Sequence, residues 1–288
     1  MFNLLFSKII IKSQINDQAA KEIEKCFERA LECDVRPTYN SFRDNIKAKC
    51  EYIICTNCNS MKNSVFCNTC QCKTENNYYT LFDVESQLNS ILENEIDTML
   101  RYRDNIGLLG YHKESVINKV HEKTGNFTLA LNTDGVCVYR KRTKDTWPIY
   151  LVINELPVPK KFSLSNVILA GLWVGRSKIN NKIVLNDTMK YLSTFEQTGV
   201  EYNHETYKFS VIFGSFDKPA SALILNTSYF NSEFGCRYCL AKRTTLNRKP
   251  CFLNPGKKRT HFFQIAKGIE ASNSNKPVMG LRGISCLR

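Results

Sequence analysis

A chain of 288 residues can hold one large domain or two smaller ones, and its 43% hydrophobic and 11% aromatic content belongs to a folded protein, not a disordered tail. Its 40 basic and 27 acidic residues leave a net charge of +13, which favours a polyanionic partner, either nucleic acid or an anionic membrane surface. The leading MFNLLFSKIIIK is interrupted by Ser7 and Lys8, is too short to span a bilayer and lacks the order of a secretory signal. A cytosolic or nuclear chain is therefore expected, in which cysteines are reduced or metal-bound and the sequon Asn126-Phe127-Thr128 is unused.

In chain order, residues 17–31 read as an amphipathic helix with Asp17 as N-cap and Ala19, Ala20, Ile23, Cys26, Phe27, Ala30 and Leu31 on one face. A cysteine-dense stretch occupies 50–72. A second helix follows at about 84–102, with Val84, Leu88, Ile91, Leu92, Ile96, Met99 and Leu100 as its buried stripe, and 104–125 read as an irregular connector. From 127 the periodicity changes. FTLALNTDGVCVYR, WPIYLVINEL and NVILAGLWVG read as three strands of an antiparallel meander. LNDTMKYLSTFEQTGV is a helix with Asp187 near its start and Gly199 after its end, YKFSVIFGSFD a fourth strand ending in Asp217, and KPASALILNTSYF a further helix with Pro219 in its first turn. The order β-β-β-α-β-α is that of a ribonuclease-H-like α/β core. After 231 the chain reads as basic and loop-like. The segments are thus a helical region 1–49, a four-cysteine element 50–75, a helix and connector 76–125, and the α/β core 126–288.

Cys55-x2-Cys58 precedes Cys67-x2-Cys70 by eight residues. Each Cys-x-x-Cys turn aims two thiolates at one centre, and two such turns complete a tetrahedral zinc site with no open position, a structural rather than catalytic arrangement. Cys50 and Cys72 flank the set and are alternative ligands. Cys236-x2-Cys239 is half of a second site, or simply two packed thiols. Cys251 and His261 are the candidates to complete it, neither at a convincing spacing.

The alternating strand around Leu129–Val136 carries an acid, Asp134, directly before Gly135. A buried acid is costly unless a positive group meets it. In a ribonuclease-H-like sheet the first and fourth strands are neighbours, which would set Asp134 beside Asp217 and invite a divalent cation, Mg²⁺ or Mn²⁺, between their oxygens. Each acid has a plainer reading: Asp-Gly is a common turn dipeptide, and Asp217 before Lys218-Pro219 suits a helix N-cap. Between 242 and 259 the chain carries Lys242, Arg243, Arg248, Lys249, Lys257, Lys258 and Arg259 with no acid, a candidate sequence-independent DNA contact or a solvated charged face.

LNTDGVCVYRKRTKDTWPIYLVINELP, NVILAGLWVG and FDKPASALILNTSYFNSEFGCRYCL resemble the catalytic domain of CACTA-type (En/Spm-like) DDE transposases over about 127–240, and YIICTNCNSMKNSVFCNTC with the helix after it resembles the region preceding that domain. The resemblance implies a nuclear, ribonuclease-H-like protein that cuts and joins DNA with Mg²⁺ or Mn²⁺, with Asp134 and Asp217 as the first two catalytic acids and Cys236 and Cys239 as the Cys-x2-Cys element after the second. It implies DNA as partner, leaves room for a homo-oligomer and gives no membrane role. The family's third acid lies well beyond that element, and the chain stops at Arg288 before it, so the expectation is a truncated core with little or no activity alone. Glu155, Glu233 and Glu270 are the acids to nominate as substitutes, though none matches the family's position. Lys218 stands where the family carries a small polar residue, and its ammonium could compete for Asp217. The alternative is a zinc-stabilised DNA-binding or interaction protein without chemistry.

Overall fold

The structure, a computed structural model, describes residues 46–58, 60, 66–72, 76–108, 120, 125–136, 145–175, 179, 181–285 and 287. The helix expected at 17–31 lies outside them. They fall into two compact units: one comprises those up to 180 with Lys190–Ser215, the other Asn181–Met189 with Phe216–Arg288. Both contain helices and strands, so the chain is of mixed α/β class.

A seven-stranded sheet organises the first unit. Its strands are β1 (Ala48–Cys55), β2 (Asn76–Phe82), β3 (Asn126–Thr133), β4 (Asp145–Ile153), β5 (Val167–Gly175), β6 (Val200–Tyr202) and β7 (Glu205–Ser215), in the order β1-β2-β5-β4-β3-β7-β6. Neighbours are antiparallel except β3 and β7, which run parallel. The expected meander is present as β3, β4 and β5. The cysteine-dense segment departs from expectation, because β1 within it pairs with β2 directly after it, and β2 joins the free side of β5. One sheet therefore crosses the segment boundaries drawn at 75 and 125. Every residue of β5 is buried, so both faces of this strand are covered, and Trp173 stands in register opposite Tyr79 of β2 and Trp147 of β4. Pro148, which cannot donate to a ladder, lies beside the register shift between Ile149 and Tyr150.

Helix α1 (Val84–Leu108) packs on β5 and β6 and extends into the segment read as connector, so 104–108 are helical. Gln87, buried on α1, donates to the carbonyl of Leu169 at 3.0 Å and accepts its N–H at 2.9 Å, pairing β5 beyond the last register position of β2. Asp83 caps the helix, accepting the Ser86 N–H at 3.3 Å and the Ser86 hydroxyl at 2.5 Å. Burial alone would raise the Asp83 carboxyl; the two Ser86 bonds and the Lys49 charge outweigh it and hold the group below its ordinary value. Asp83→Ala is expected to cost about 1 kcal/mol in urea unfolding at neutral pH. Because the folded carboxyl is the stronger acid, the contribution is fully present above the ordinary carboxylate value. It fades as pH falls through the folded value, and wild type and variant should converge once the folded carboxyl is protonated.

A short helix α2 (Val158–Lys161) follows β4. Helix α3 (Asn181–Gln197) begins earlier than expected, which puts Asp187 in its interior, and it ends just before Gly199. The second unit holds α4 (Lys218–Ile224), a hairpin of β8 (Thr244–Leu246) and β9 (Lys249–Cys251), and α5 (His261–Ser274). The expected loop after 231 is thereby corrected. The hairpin turns on Asn247 and Arg248, both at positive φ (49° and 62°), the backbone of a two-residue primed turn. Thr260 caps α5 by accepting the Phe263 N–H at 3.2 Å, and Asn275 closes it in the left-handed conformation. Among the described residues no helix is long and apolar enough to cross a membrane.

Candidate metal centre

Cys55 is the last residue of β1, and the two Cys-x2-Cys turns fill the connection to β2, whose first residue, Asn76, pairs with Cys55. The ligand atoms of Cys55, Cys58, Cys67 and Cys70 all lie within 4.8 Å of one another. Cys55 Sγ stands 3.7 Å from Cys70 Sγ, and Cys58 Sγ 3.4 Å from Cys67 Sγ. A tetrahedron with Zn–S of about 2.3 Å has S···S edges of about 3.8 Å, so these sulfurs fit zinc with little movement. Backbone bonds shape the turns: the Cys55 N–H reaches the Ser60 carbonyl at 2.9 Å, the Gln71 N–H the Cys67 carbonyl at 2.8 Å, and Gln71 itself sits at φ 57°. The Cys70 backbone N–H points at the Cys67 sulfur and, against burial, lowers its thiol below the ordinary value. The flanking cysteines are not part of the set. Cys50 lies within β1, and the Cys72 sulfur accepts from Asn57 Nδ2 at 3.6 Å. Four cysteines thus form a closed site able to hold a metal such as zinc, at the end of an edge hairpin.

The acids are arranged differently from expectation. β3 stops at Thr133, so Asp134 follows the strand rather than lying in it, and it is exposed, not buried. One of its carboxylate oxygens accepts the Gly135 N–H at 2.7 Å. Gly135 is dictated by packing, since a Cβ there would stand 2.7 Å from the Trp147 indole. The cost of a buried charge that first drew attention to this acid therefore does not arise. β7 ends at Ser215, and Asp217, also exposed, is the N-cap of α4, its Oδ1 accepting the Ala220 N–H at 2.6 Å with Pro219 in the first turn. Lys218 carries its ammonium over the Phe230 ring, 5.2 Å from the centroid.

None of the three nominated glutamates has the surroundings of a catalytic substitute. Glu155 is fully buried, accepting the Thr128 N–H at 2.9 Å and the Thr128 hydroxyl at 2.6 Å. It follows β4, which runs antiparallel to β3, and so lies at the start of β3, six residues or about 20 Å along the strand from Asp134. Glu233 pairs with Lys242 at 2.8 Å, and Glu270 with Lys267 at 2.7 Å on α5.

In the second unit Cys236 and Cys239 place their sulfurs 3.4 Å apart. The backbone N–H groups of Ala241 and Gly256 point at the Cys239 sulfur and lower its thiol. Gly256 must lack a side chain, because a Cβ would stand 2.2 Å from the Ala241 nitrogen. Among the described residues no third Cys, His, Asp or Glu gathers with this pair as a ligand group. The Cys251 sulfur is engaged with Thr244 Oγ1 at 3.4 Å, and His261 is exposed at the start of α5. The second zinc site is therefore not assembled as a four-ligand set.

Of the seven basic residues, Arg259 is a correction. It is buried, and its guanidinium donates to the carbonyls of Cys236 (2.9 Å), Cys239 (3.1 Å), Met279 (2.8 Å) and Phe234 (3.1 Å). It ties the Cys-x2-Cys turn to the segment after α5 and offers nothing to a phosphate. The periodicity of a charged run could not reveal this, because the acceptors are backbone carbonyls 20 to 25 residues away. Lys242, Arg243, Arg248, Lys249, Lys257 and Lys258 are exposed, with Arg248 and Lys249 at the hairpin turn. Arg243 Nη1 also donates to the Asn231 carbonyl at 2.6 Å.

No curated protein matches the chain. A family described as a protein of unknown function, DUF1258, matches residues 44–278, a span that takes in the four-cysteine cluster, Asp134, Asp217 and the basic segment. Over that length the chain is a member of the DUF1258 family.

Proposed function

We propose that this chain is a relative of the CACTA-type DDE transposases, with a ribonuclease-H-like core, DNA as its partner and the nucleus as its place of action. The sheet order carries the reading. β5, β4 and β3 form an antiparallel meander, α3 follows, and β7 then lies parallel to β3 on its far side, the β-β-β-α-β sequence expected of that core. β1, β2 and β6 are additions at its two edges. Asp134 and Asp217 each follow one of the two parallel strands, two residues past the last register pair, Asn132 and Ser215.

Both acids offer exposed carboxylate oxygens, the donors that hard divalent cations select. Mg²⁺ or Mn²⁺ bound there would activate a water or 3′-hydroxyl and stabilise the leaving oxygen of a phosphodiester. The protein's own part is to hold the donors: the Gly135 N–H orients one carboxylate and the Ala220 N–H the other. The exposed basic residues of 242–258 would bind phosphates without reading sequence.

Titration of the purified chain with Mn²⁺, followed by electron paramagnetic resonance, tests the assignment. Asp134→Asn and Asp217→Asn are each expected to weaken Mn²⁺ binding by about tenfold or more, since each removes one of few anionic ligands. Asn caps a helix about as well as Asp, so Asp217→Asn leaves α4 intact. Unchanged Mn²⁺ affinity in both folded variants, together with salt-dependent DNA binding, would overturn the metal reading. It would favour instead a zinc-stabilised DNA-binding protein without chemistry, for which the closed four-thiolate cluster speaks.

A further inference from the structure

Within the second unit, an open cleft of about 350 Å³ lies between α4 and the segment that follows it. The volume is within the range of small-ligand sites, roughly 300–1,000 Å³. Thirteen residues line it, two of them cations, Lys218 and Arg237, and none an acid, so an anion is the complementary ligand. Three rings, Phe230, Tyr238 and Phe252, form part of the wall, and those of Phe230 and Tyr238 are 44% and 73% exposed. Arg237 is held in place: its Nη1 donates to Ser221 Oγ at 2.7 Å, and its guanidinium carbon stands 5.7 Å from the Tyr238 ring centroid. An inorganic anion has no use for three rings, and an apolar ligand has none for two cations.

We infer that this cleft binds a nucleoside monophosphate unit, its base stacked on these rings and its phosphate beside Lys218 and Arg237. A base can enter a cleft walled by rings only after it has left the duplex stack, so the natural source is an unpaired nucleotide of a single strand. The inference goes beyond strand cleavage and needs neither Asp134 nor a divalent ion.

Fluorescence anisotropy with labelled dT12 and with a hairpin duplex, without added Mg²⁺ or Mn²⁺, tests it. Tyr238→Ala and Phe252→Ala are each expected to weaken dT12 binding about tenfold, the scale of one lost stacking contact, and duplex binding less than twofold. Tyr238→Phe keeps the ring and should bind like wild type. Since Tyr238 is largely exposed, its variants report on stacking even if Phe252→Ala perturbs folding. Displacement of dT12 by dTMP, but not by the same concentration of inorganic phosphate, is expected. A dTMP affinity equal to that of dT12 would make the free nucleotide the ligand, whereas a much weaker one identifies the strand. Equal losses on dT12 and duplex, unchanged dT12 binding in Tyr238→Ala, or displacement by phosphate as effective as by dTMP would each overturn the inference. None of these outcomes bears on Mn²⁺ binding, so the two readings fail separately.

Discussion

Cys67→Ser is expected to abolish stoichiometric zinc binding and to melt the β1–β2 edge of the sheet while the strands beyond it persist. The substitution removes a buried thiolate from a closed four-sulfur set. Structural zinc contributes about 10–16 kcal/mol of apparent binding energy in small domains, and that energy is realised only when the ligands are folded. Here the set closes the connection between Cys55 and Asn76, so the loss falls first on the register of Ala48–Cys55 with Asn76–Phe82. Zinc content by atomic absorption should drop from about one per chain to near zero. Amide hydrogen exchange should show β1 and β2 losing protection, with β3, β4 and β5 changing far less. Chelation of the wild type should reproduce the pattern. Cys50→Ser and Cys72→Ser should retain zinc, since neither sulfur belongs to the set. Full zinc retention in Cys67→Ser would overturn the assignment.

Glu155→Ala should be the most damaging single carboxylate removal among the acids discussed, and its damage should be to stability alone. It leaves the buried N–H and hydroxyl of Thr128 without their acceptor, at about 1–3 kcal/mol each, for a total of about 2–6 kcal/mol. Lys161, whose ammonium feels the Glu155 charge while burial lowers its own basicity, would lose a favourable interaction as well. Urea denaturation measures the loss. Mn²⁺ affinity measured on the folded fraction should be unchanged, because Glu155 belongs to the opposite end of β3 from Asp134. A Mn²⁺ affinity that falls with Glu155→Ala would return this residue to the list of metal ligands.

The comparison of Glu155 with Asp134 shows where sequence reading runs out. Both are acids adjoining apolar strands, and local pattern suggested that Asp134 was the buried one. The reverse holds, because burial depends on where a strand ends and what packs on it. β3 ends one residue before Asp134, while the turn after β4 folds Glu155 inward onto Thr128. Arg259 teaches the same lesson from the basic side: it sits in a run of exposed cations, yet four carbonyls distant in sequence surround it.

What the sequence determined by itself was whatever short-range chemistry encodes. The Cys-x2-Cys spacing specified a four-thiolate site, because a tight turn brings two sulfurs to one centre whatever surrounds it. Alternation and apolar runs specified the meander and the α1 stripe, because side-chain periodicity is a property of the local backbone. The tertiary structure alone decided that β1 and β2 extend the same sheet, that β7 lies parallel to β3, that Glu155 and Arg259 are buried, and that Lys218, Arg237 and three aromatic rings line one cleft. Each of these depends on pairings between residues far apart in the chain, whose free energy comes from burial and hydrogen bonds that no local window contains.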